Sequence, residues 1–245
     1  QMTGGFQASD LIIIGARPGV GKTCIALNMA LRAAQKNYKS VLFSLVMSAT
    51  QLTKRILAIE SGVSYRAIDD MRAATHNISH IIDAAGSLAS LPLFIASLNT
   101  ITIHDNRSRM RKLYKEVRPS IMFIDYLGYI KDPAYTPQNK VLEVASVTAA
   151  LKSLAKELNI PIVVLCQLSR GVENRVEKRP MMSDLRDSGA IEQDADIIMF
   201  LYRDFKYNPE ADPTSAELIV SKHRNGPTGT VDLEFIPELS RFENR

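Results

Sequence analysis

Six short apolar runs punctuate the chain, at residues 11–14, 41–46, 93–95, 121–124, 162–166 and 197–202. Continuous apolar runs of this length read as strands buried on both faces. Between them, apolar residues recur at three and four positions, which predicts helices over 23–35, 51–60, 107–117 and 141–158. Strand alternating with helix implies an α/β fold, a mostly parallel central sheet flanked by helices on both faces. The last part changes character. Residues 217–222 and 230–236 alternate polar with apolar and are joined by Asn225-Gly226-Pro227-Thr228-Gly229, which predicts an antiparallel hairpin appended at the C-terminal edge. Residues 131–140, with two prolines, and the charged stretch 171–180 read as exposed loops.

Composition narrows this picture only a little. At 245 residues with 46% apolar content, the chain can bury a sizeable core, and residues 1–245 read as one domain. Thirty basic against 26 acidic residues is too even a balance to argue for nucleic acid, although a local basic cluster still can. Cys24 and Cys166 match no metal-ligand spacing and read as free buried thiols in a reducing compartment. No apolar run approaches a membrane span, and the N-terminus has no charged region followed by an apolar one. The expectation is a soluble cytoplasmic protein. Gln1 is not an initiator methionine and the chain enters a strand almost at once, so it reads as a fragment of a longer protein.

The first strand runs into Ala16-Arg17-Pro18-Gly19-Val20-Gly21-Lys22-Thr23, and a helix follows directly. This is the spacing and context of a Walker A phosphate loop, with Ala16 in the usual first glycine position and Gly15 just before it. Gly19 and Gly21 allow backbone N–H groups to turn inward toward phosphate oxygens at a helix N-terminus. Lys22 is placed for the β and γ phosphates and Thr23 for Mg²⁺. Met122-Phe123-Ile124-Asp125 is an apolar strand ending in a carboxylate, the form of a Walker B site. Alone, a strand-ending aspartate is as well read as a turn former. Beside a Walker A loop, Asp125 reads as the second Mg²⁺ residue, facing Thr23 across adjacent strand ends. Gln167 ends a further strand, where an amide can feel the γ-phosphate and signal to the loop that follows.

With these strand ends in place the sequence resembles the DnaB replicative helicase family, nearly end to end. The resemblance rests on residues 15–23, 43–48, 124–127, 167–170, 184–196 and 222–226. Many families share the Walker loops; the stretch Asp184-Leu185-Arg186-Asp187-Ser188-Gly189-Ala190-Ile191-Glu192-Gln193-Asp194-Ala195-Asp196 is much more specific and argues against a recombinase or clock-type relative. The resemblance implies a RecA-like P-loop NTPase fold and a homohexameric ring that hydrolyses ATP between subunits while moving along single-stranded DNA. It also implies partnership with primase and a helicase loader, and an N-terminal helical domain and linker that this chain lacks. By matching position, Gln167 resembles the γ-phosphate sensor, and Arg55 an arginine that joins Gly19, Gly21, Lys22, Thr23 and Cys24 around the nucleotide. Lys222 and Arg224 resemble a pair inserted into the neighbouring subunit's site; residues two apart share a strand face, so His223 points away. Arg186, Asp187 and Gly189 match the DNA-facing loop. Arg170, Arg175, Lys178 and Arg179 lie upstream, where they line the same channel or form a solvated face. Arg107, Arg111, Lys115 and Arg118 read as a solvated helical stripe.

The chain departs from the family at one chemically important place. Family members carry a glutamate where this chain has Val46, and that glutamate is taken to polarise the attacking water. Tyr126, after Walker B, offers no substitute, and Glu60 on the following helix is the nearest candidate in sequence. Ser146 and Ala149 also stand where the family usually has glutamate and arginine. An ATP- and DNA-binding ring or scaffold with impaired hydrolysis is therefore the competing expectation.

Overall fold

The computed structural model describes residues 3–70, 77–97, 102–185 and 188–245. Nine strands form one sheet: β1 (Leu11–Ala16), β2 (Ser40–Ser44), β3 (Leu93–Ser97), β4 (Ile121–Asp125), β5 (Ile162–Gln167), β6 (Ile197–Tyr202), β7 (Ser215–His223), β8 (Gly229–Ile236) and β9 (Arg241–Asn244). Their order across the sheet is β3-β2-β4-β5-β1-β6-β7-β8-β9. The first six run parallel and the last three antiparallel. The mixed α/β architecture and the C-terminal hairpin, β7 with β8, are as the pattern predicts. The helices are α1 (Lys22–Gln35), α2 (Ala49–Ser61), α3 (Tyr65–Asp69), α4 (Ile78–Ala89), α5 (Ile103–Val117), α6 (Lys140–Leu158) and α7 (Ser188–Asp194).

Strand periodicity divides the core between the two faces of the sheet. On β1, Ile12 and Ile14 join α1 and α2 through Ile25, Leu27, Leu52 and Ile56. Leu11 and Ile13 face the other way, toward Met110 of α5, Leu151 and Leu154 of α6, and Ile191 of α7. Both cysteines are free and buried. Among the described residues no helix is long and apolar enough to cross a membrane.

Several elements differ from expectation. The second strand stops at Ser44, not at residue 46, because the Ser44 hydroxyl accepts from Met47 N–H (3.0 Å) and donates to Met47 O (2.9 Å), turning the chain. Ser48 and Gln51 then form a reciprocal capping box that starts α2. Helix α4 escapes a periodicity search because Ile78 and Ile82 are exposed and Ala84 is its buried residue. Strand β9 carries one apolar residue, Phe242, between polar neighbours; buried Asn28 of α1 pins it, donating to Ser240 O (2.9 Å) and accepting from Phe242 N–H (3.1 Å).

The two aspartates that bound the family-specific stretch are structural. Asp184 accepts from Met181 N–H (2.8 Å) and Arg175 Nη2 (2.7 Å). Asp196, 5% exposed, accepts from Leu11 N–H (2.8 Å) and Lys152 Nζ (2.5 Å), and Arg224 lies 3.3 Å away. Burial works against the ionised form of Asp196, but the Lys152 and Leu11 hydrogen bonds and the two cations together hold its carboxyl below the usual range. A depressed carboxylate contributes stability that is present above its unfolded pKa and lost as the pH falls through the folded one. Asp196→Asn leaves Lys152 buried without its counterion and is expected to cost on the order of 3 kcal/mol at neutral pH. Urea unfolding checks this; an unchanged midpoint would show that the pair is neutral.

Candidate functional site

The phosphate loop, the end of β4 and the end of β5 meet at the C-terminal edge of the parallel strands, the usual ligand edge of an open α/β sheet. Gly19 and Gly21 adopt φ of 76° and 117°, values that only glycine takes without strain. At Gly21 a Cβ would also stand 3.1 Å from the Phe242 ring. Helix α1 begins with no side-chain cap and no acidic residue in its first turn, so its leading N–H groups face the loop without protein acceptors.

Thr23 and Asp125 come together: Thr23 Oγ1 donates to Asp125 Oδ2 at 2.6 Å. Their strands are not adjacent, however. β5 lies between β1 and β4, and the contact forms because α1 leads Thr23 over that strand toward the end of β4. Asp125 is 1% exposed. Burial pushes its carboxyl up, while the Thr23 hydroxyl, Lys22 and Arg55 oppose the rise. Burial likewise pushes Lys22 down, against the pull of Asp125, and its ammonium rests 4.4 Å from the centre of the Tyr126 ring. A buried acid pushed up beside a buried base pushed down marks a site whose charges are undercompensated by protein alone. A hydroxyl and a carboxylate beside inward N–H groups and a lysine fit Mg²⁺ with a triphosphate, since Mg²⁺ takes few protein ligands and keeps water and phosphate oxygens. Among the described residues no cluster of three or more His, Cys, Asp or Glu competes as a metal site.

Gln167 pairs in register with Ala16 of the phosphate loop and is exposed at the end of β5, between the Walker A and Walker B strands. A cavity of about 530 Å³ opens beside it, lined in part by Arg17, Tyr126, Lys140, Ser169 and Arg170. Arg55 of α2 donates through Nη1 to Cys24 Sγ (3.2 Å) and lies over the Tyr65 ring, and its buried Nε has no hydrogen-bond partner among the described residues. Such an orphaned donor beside the first turn of α1 suits a ligand acceptor.

Three cations at this edge escaped the sequence reading. Arg17 lies within the loop but turns away from it, toward Leu168 and Glu173. Arg203, at the end of β6, is 8% exposed and stacks 4.3 Å over Phe235. Lys206 Nζ lies against the loop, 2.9 Å from where a Cβ on Gly19 would stand. The rule that ligands gather beyond parallel strand ends singles out the segment after β6, which no motif did.

Lys222 and Arg224 sit at the opposite edge. Lys222 pairs with Ile198 and His223 with Ile197, at the start of β6. Lys222 Nζ donates to Ala195 O (2.6 Å) and to Glu192 O, and Arg224 Nη2 donates to Gln193 O (2.9 Å). Both cations thus cap the C-terminal end of α7, while His223 turns toward Pro227. The length of a six-residue strand, roughly 20 Å, separates them from the chain's own phosphate loop.

Among the candidate DNA residues, Gly189 is exposed in the first turn of α7, whereas Arg186 and Asp187 lie outside the described residues. Arg175 and Arg179 are engaged within the fold, on Asp184 (2.7 Å) and Glu217 (2.5 Å) respectively. Arg111 grips Glu157 through two 2.7 Å bonds, so the stripe on α5 is part of a helix-to-helix ion pair. Val46 is 50% exposed close to Walker B, since Ser44 pairs with Asp125 and Leu45 N–H donates to Asp125 O (2.7 Å). Glu60 cannot replace it: it accepts from Gln35 Nε2 (2.9 Å) at the far end of α1, about 20 Å along the helix from the loop.

The sequence matches the DnaB-like helicase C terminal domain over residues 1–244. The chain belongs to this family. It is 44% identical over its whole length to the replicative DNA helicase DnaB of Geobacillus stearothermophilus, covering 54% of that protein. The chain thus spans about half the length of the curated relatives it matches. Two solved structures superpose on all of it, each with a TM-score of 0.93 and 35% identity. One is an isolated ATPase domain, 87% covered, and the other a DnaB-like replicative helicase described with its interactions with primase, 59% covered. The fold of this DnaB-like domain is accordingly RecA-like, a mostly parallel sheet with an antiparallel C-terminal extension.

Proposed function

We propose that this chain is the motor domain of an ATP-driven replicative DNA helicase. The observation that carries the reading is the 2.6 Å contact between Thr23 and Asp125 beside Lys22 and an uncapped helix N-terminus. Gly19, Gly21, Lys22, Thr23, Cys24 and Arg55 hold the nucleotide, and Thr23 and Asp125 hold Mg²⁺. Bound Mg-ATP supplies the phosphoryl group whose transfer to water releases free energy. Gln167 presents its amide at the γ-phosphate position, and Lys222 and Arg224 serve the site of the next subunit in a homohexameric ring. Arg186, Asp187 and Gly189 face single-stranded DNA through phosphate contacts that do not read sequence. Primase is a proposed partner, by likeness to the relative solved with it, and a helicase loader is another.

A second reading keeps binding without efficient turnover: a nucleotide-gated ring or scaffold. Val46 favours it, since an exposed valine stands beside Walker B and Glu60 is engaged elsewhere. Both readings require nucleotide binding at the same loop. Lys22→Ala is expected to weaken Mg-ATP about 10- to 100-fold, the loss of one or two charge-assisted hydrogen bonds, without change in the circular dichroism spectrum. Equal affinity in variant and parent by titration calorimetry would sink both.

A further inference from the structure

Leu168, the residue after Gln167, is gripped from both sides by the phosphate loop. Its N–H donates to Ala16 O (3.2 Å) and its carbonyl accepts from Arg17 Nη1 (2.7 Å). Its side chain also closes on Gly15, where a Cβ would stand 2.9 Å from Leu168 Cδ2. Arg17 commits its remaining nitrogens to Glu173: Nε and Nη2 lie 2.8 and 2.7 Å from Oε1. Every nitrogen of a guanidinium that is only 8% exposed is therefore in use, which fixes its orientation. Phosphate binding needs backbone N–H groups and a lysine; an arginine aimed away from the cradle serves something else.

The connection continues beyond Leu168. Leu168 forms a single antiparallel bridge with Leu185, and Ser169 N–H donates to Asp184 O (2.8 Å). Asp184 in turn holds Met181 and Arg175. Residues 168–185 therefore make a closed loop whose two ends lie side by side. One end is clamped to the phosphate loop, and the other leads directly into residues 186–189.

We propose that Arg17 and Glu173 are a positioning pair that couples nucleotide occupancy to DNA engagement. The inference rests on the reading, proposed above, that residues 186–189 face DNA. Displacement of the phosphate loop carries Leu168 with it, and the paired Leu185 follows. Without the Glu173 carboxylate, Arg17 keeps one neutral carbonyl and the turn at 170–174 is released. Coupling between two ligands is reciprocal, so each must change the other's affinity by one and the same factor.

The test measures the affinity for a labelled oligodeoxythymidylate with and without Mg-ATPγS, in the parent, Glu173→Gln, Glu173→Asp and Arg186→Ala. Nucleotide is expected to change the parent's DNA affinity by about 5- to 150-fold. Glu173 is 45% exposed at its side chain, so Glu173→Gln folds. It should bring that ratio to within about twofold of one, with each ligand's affinity measured alone within about threefold of the parent. Glu173→Asp should restore most of the ratio. The effect of DNA on nucleotide affinity should fall in Glu173→Gln by the same factor, which damage confined to one site would not produce. Arg186→Ala separates the two layers of the argument. If it weakens DNA binding while Glu173→Gln keeps the parental ratio, the coupling role is overturned and the DNA reading stands. If it leaves DNA binding untouched, the DNA reading fails and the coupling role with it.

Discussion

Arg224→Ala is expected to lower ATP turnover by about 10³- to 10⁵-fold, the range of an arginine finger, with little change in ATP affinity. The size follows from charge. A transferring phosphoryl group spreads negative charge over its oxygens, and a cation placed there in a site shielded from water stabilises the transition state more than the ground state. The geometry rules out action on the chain's own nucleotide, because Lys222 and Arg224 lie at the start of β6 while the phosphate loop follows the far end of β1. Nor should the substitution disturb the fold. The Arg224 side chain is 49% exposed, and a pair this open contributes little to stability. The two half-sites should therefore complement each other. Arg224→Ala subunits mixed with Lys22→Ala subunits should hydrolyse ATP faster than either alone, since some interfaces unite an intact loop with an intact finger. No rescue across mixing ratios, in rings shown to be mixed, would count against an in-trans role.

Val46→Glu is expected to raise turnover at least tenfold, toward the ~10²–10⁴ that a general base contributes. The β2 turn sets position 46 beside Walker B through the Ser44–Asp125 pairing and the Leu45–Asp125 hydrogen bond, so a carboxylate there reaches the side of the site where water attacks. ATP affinity should stay close to the parent's, because it rests on the loop and on Asp125. Single-turnover hydrolysis, with parent and variant in the same oligomeric state, measures the gain. Fast parental turnover with no gain would show that position 46 is not the base position and that the scaffold reading has lost its main support.

The chemistry was more legible in the sequence than its geometry. Lys22, Thr23 and Asp125 stand out because spacing and strand context constrain backbone N–H groups and oxygen ligands locally. Strand order is not local, so the adjacency expected of the Walker strands proved wrong: β5 intervenes, and α1 supplies the reach. The end of β2 was misplaced because 41–46 is evenly apolar, and the turn is made by one hydroxyl, Ser44 Oγ. Strand β9 was invisible for the opposite reason, being held by Asn28 and a single phenylalanine rather than by an apolar run. Arg17 and Glu173 are 156 residues apart in sequence; only folding brings them within reach, and a charged loop is indistinguishable from a solvated one until its partner is seen. The basic residues upstream of Arg186 illustrate this, since Arg175 and Arg179 are committed to Asp184 and Glu217.

The central claim, that nucleotide turnover here is tied to single-stranded DNA, is tested most directly by steady-state ATP hydrolysis with and without an oligodeoxythymidylate, in the parent and in Val46→Glu side by side. The account predicts slow parental turnover that rises with DNA, and a faster Val46→Glu with the same dependence on DNA. Turnover in both proteins that is indifferent to DNA at saturating concentrations would contradict it.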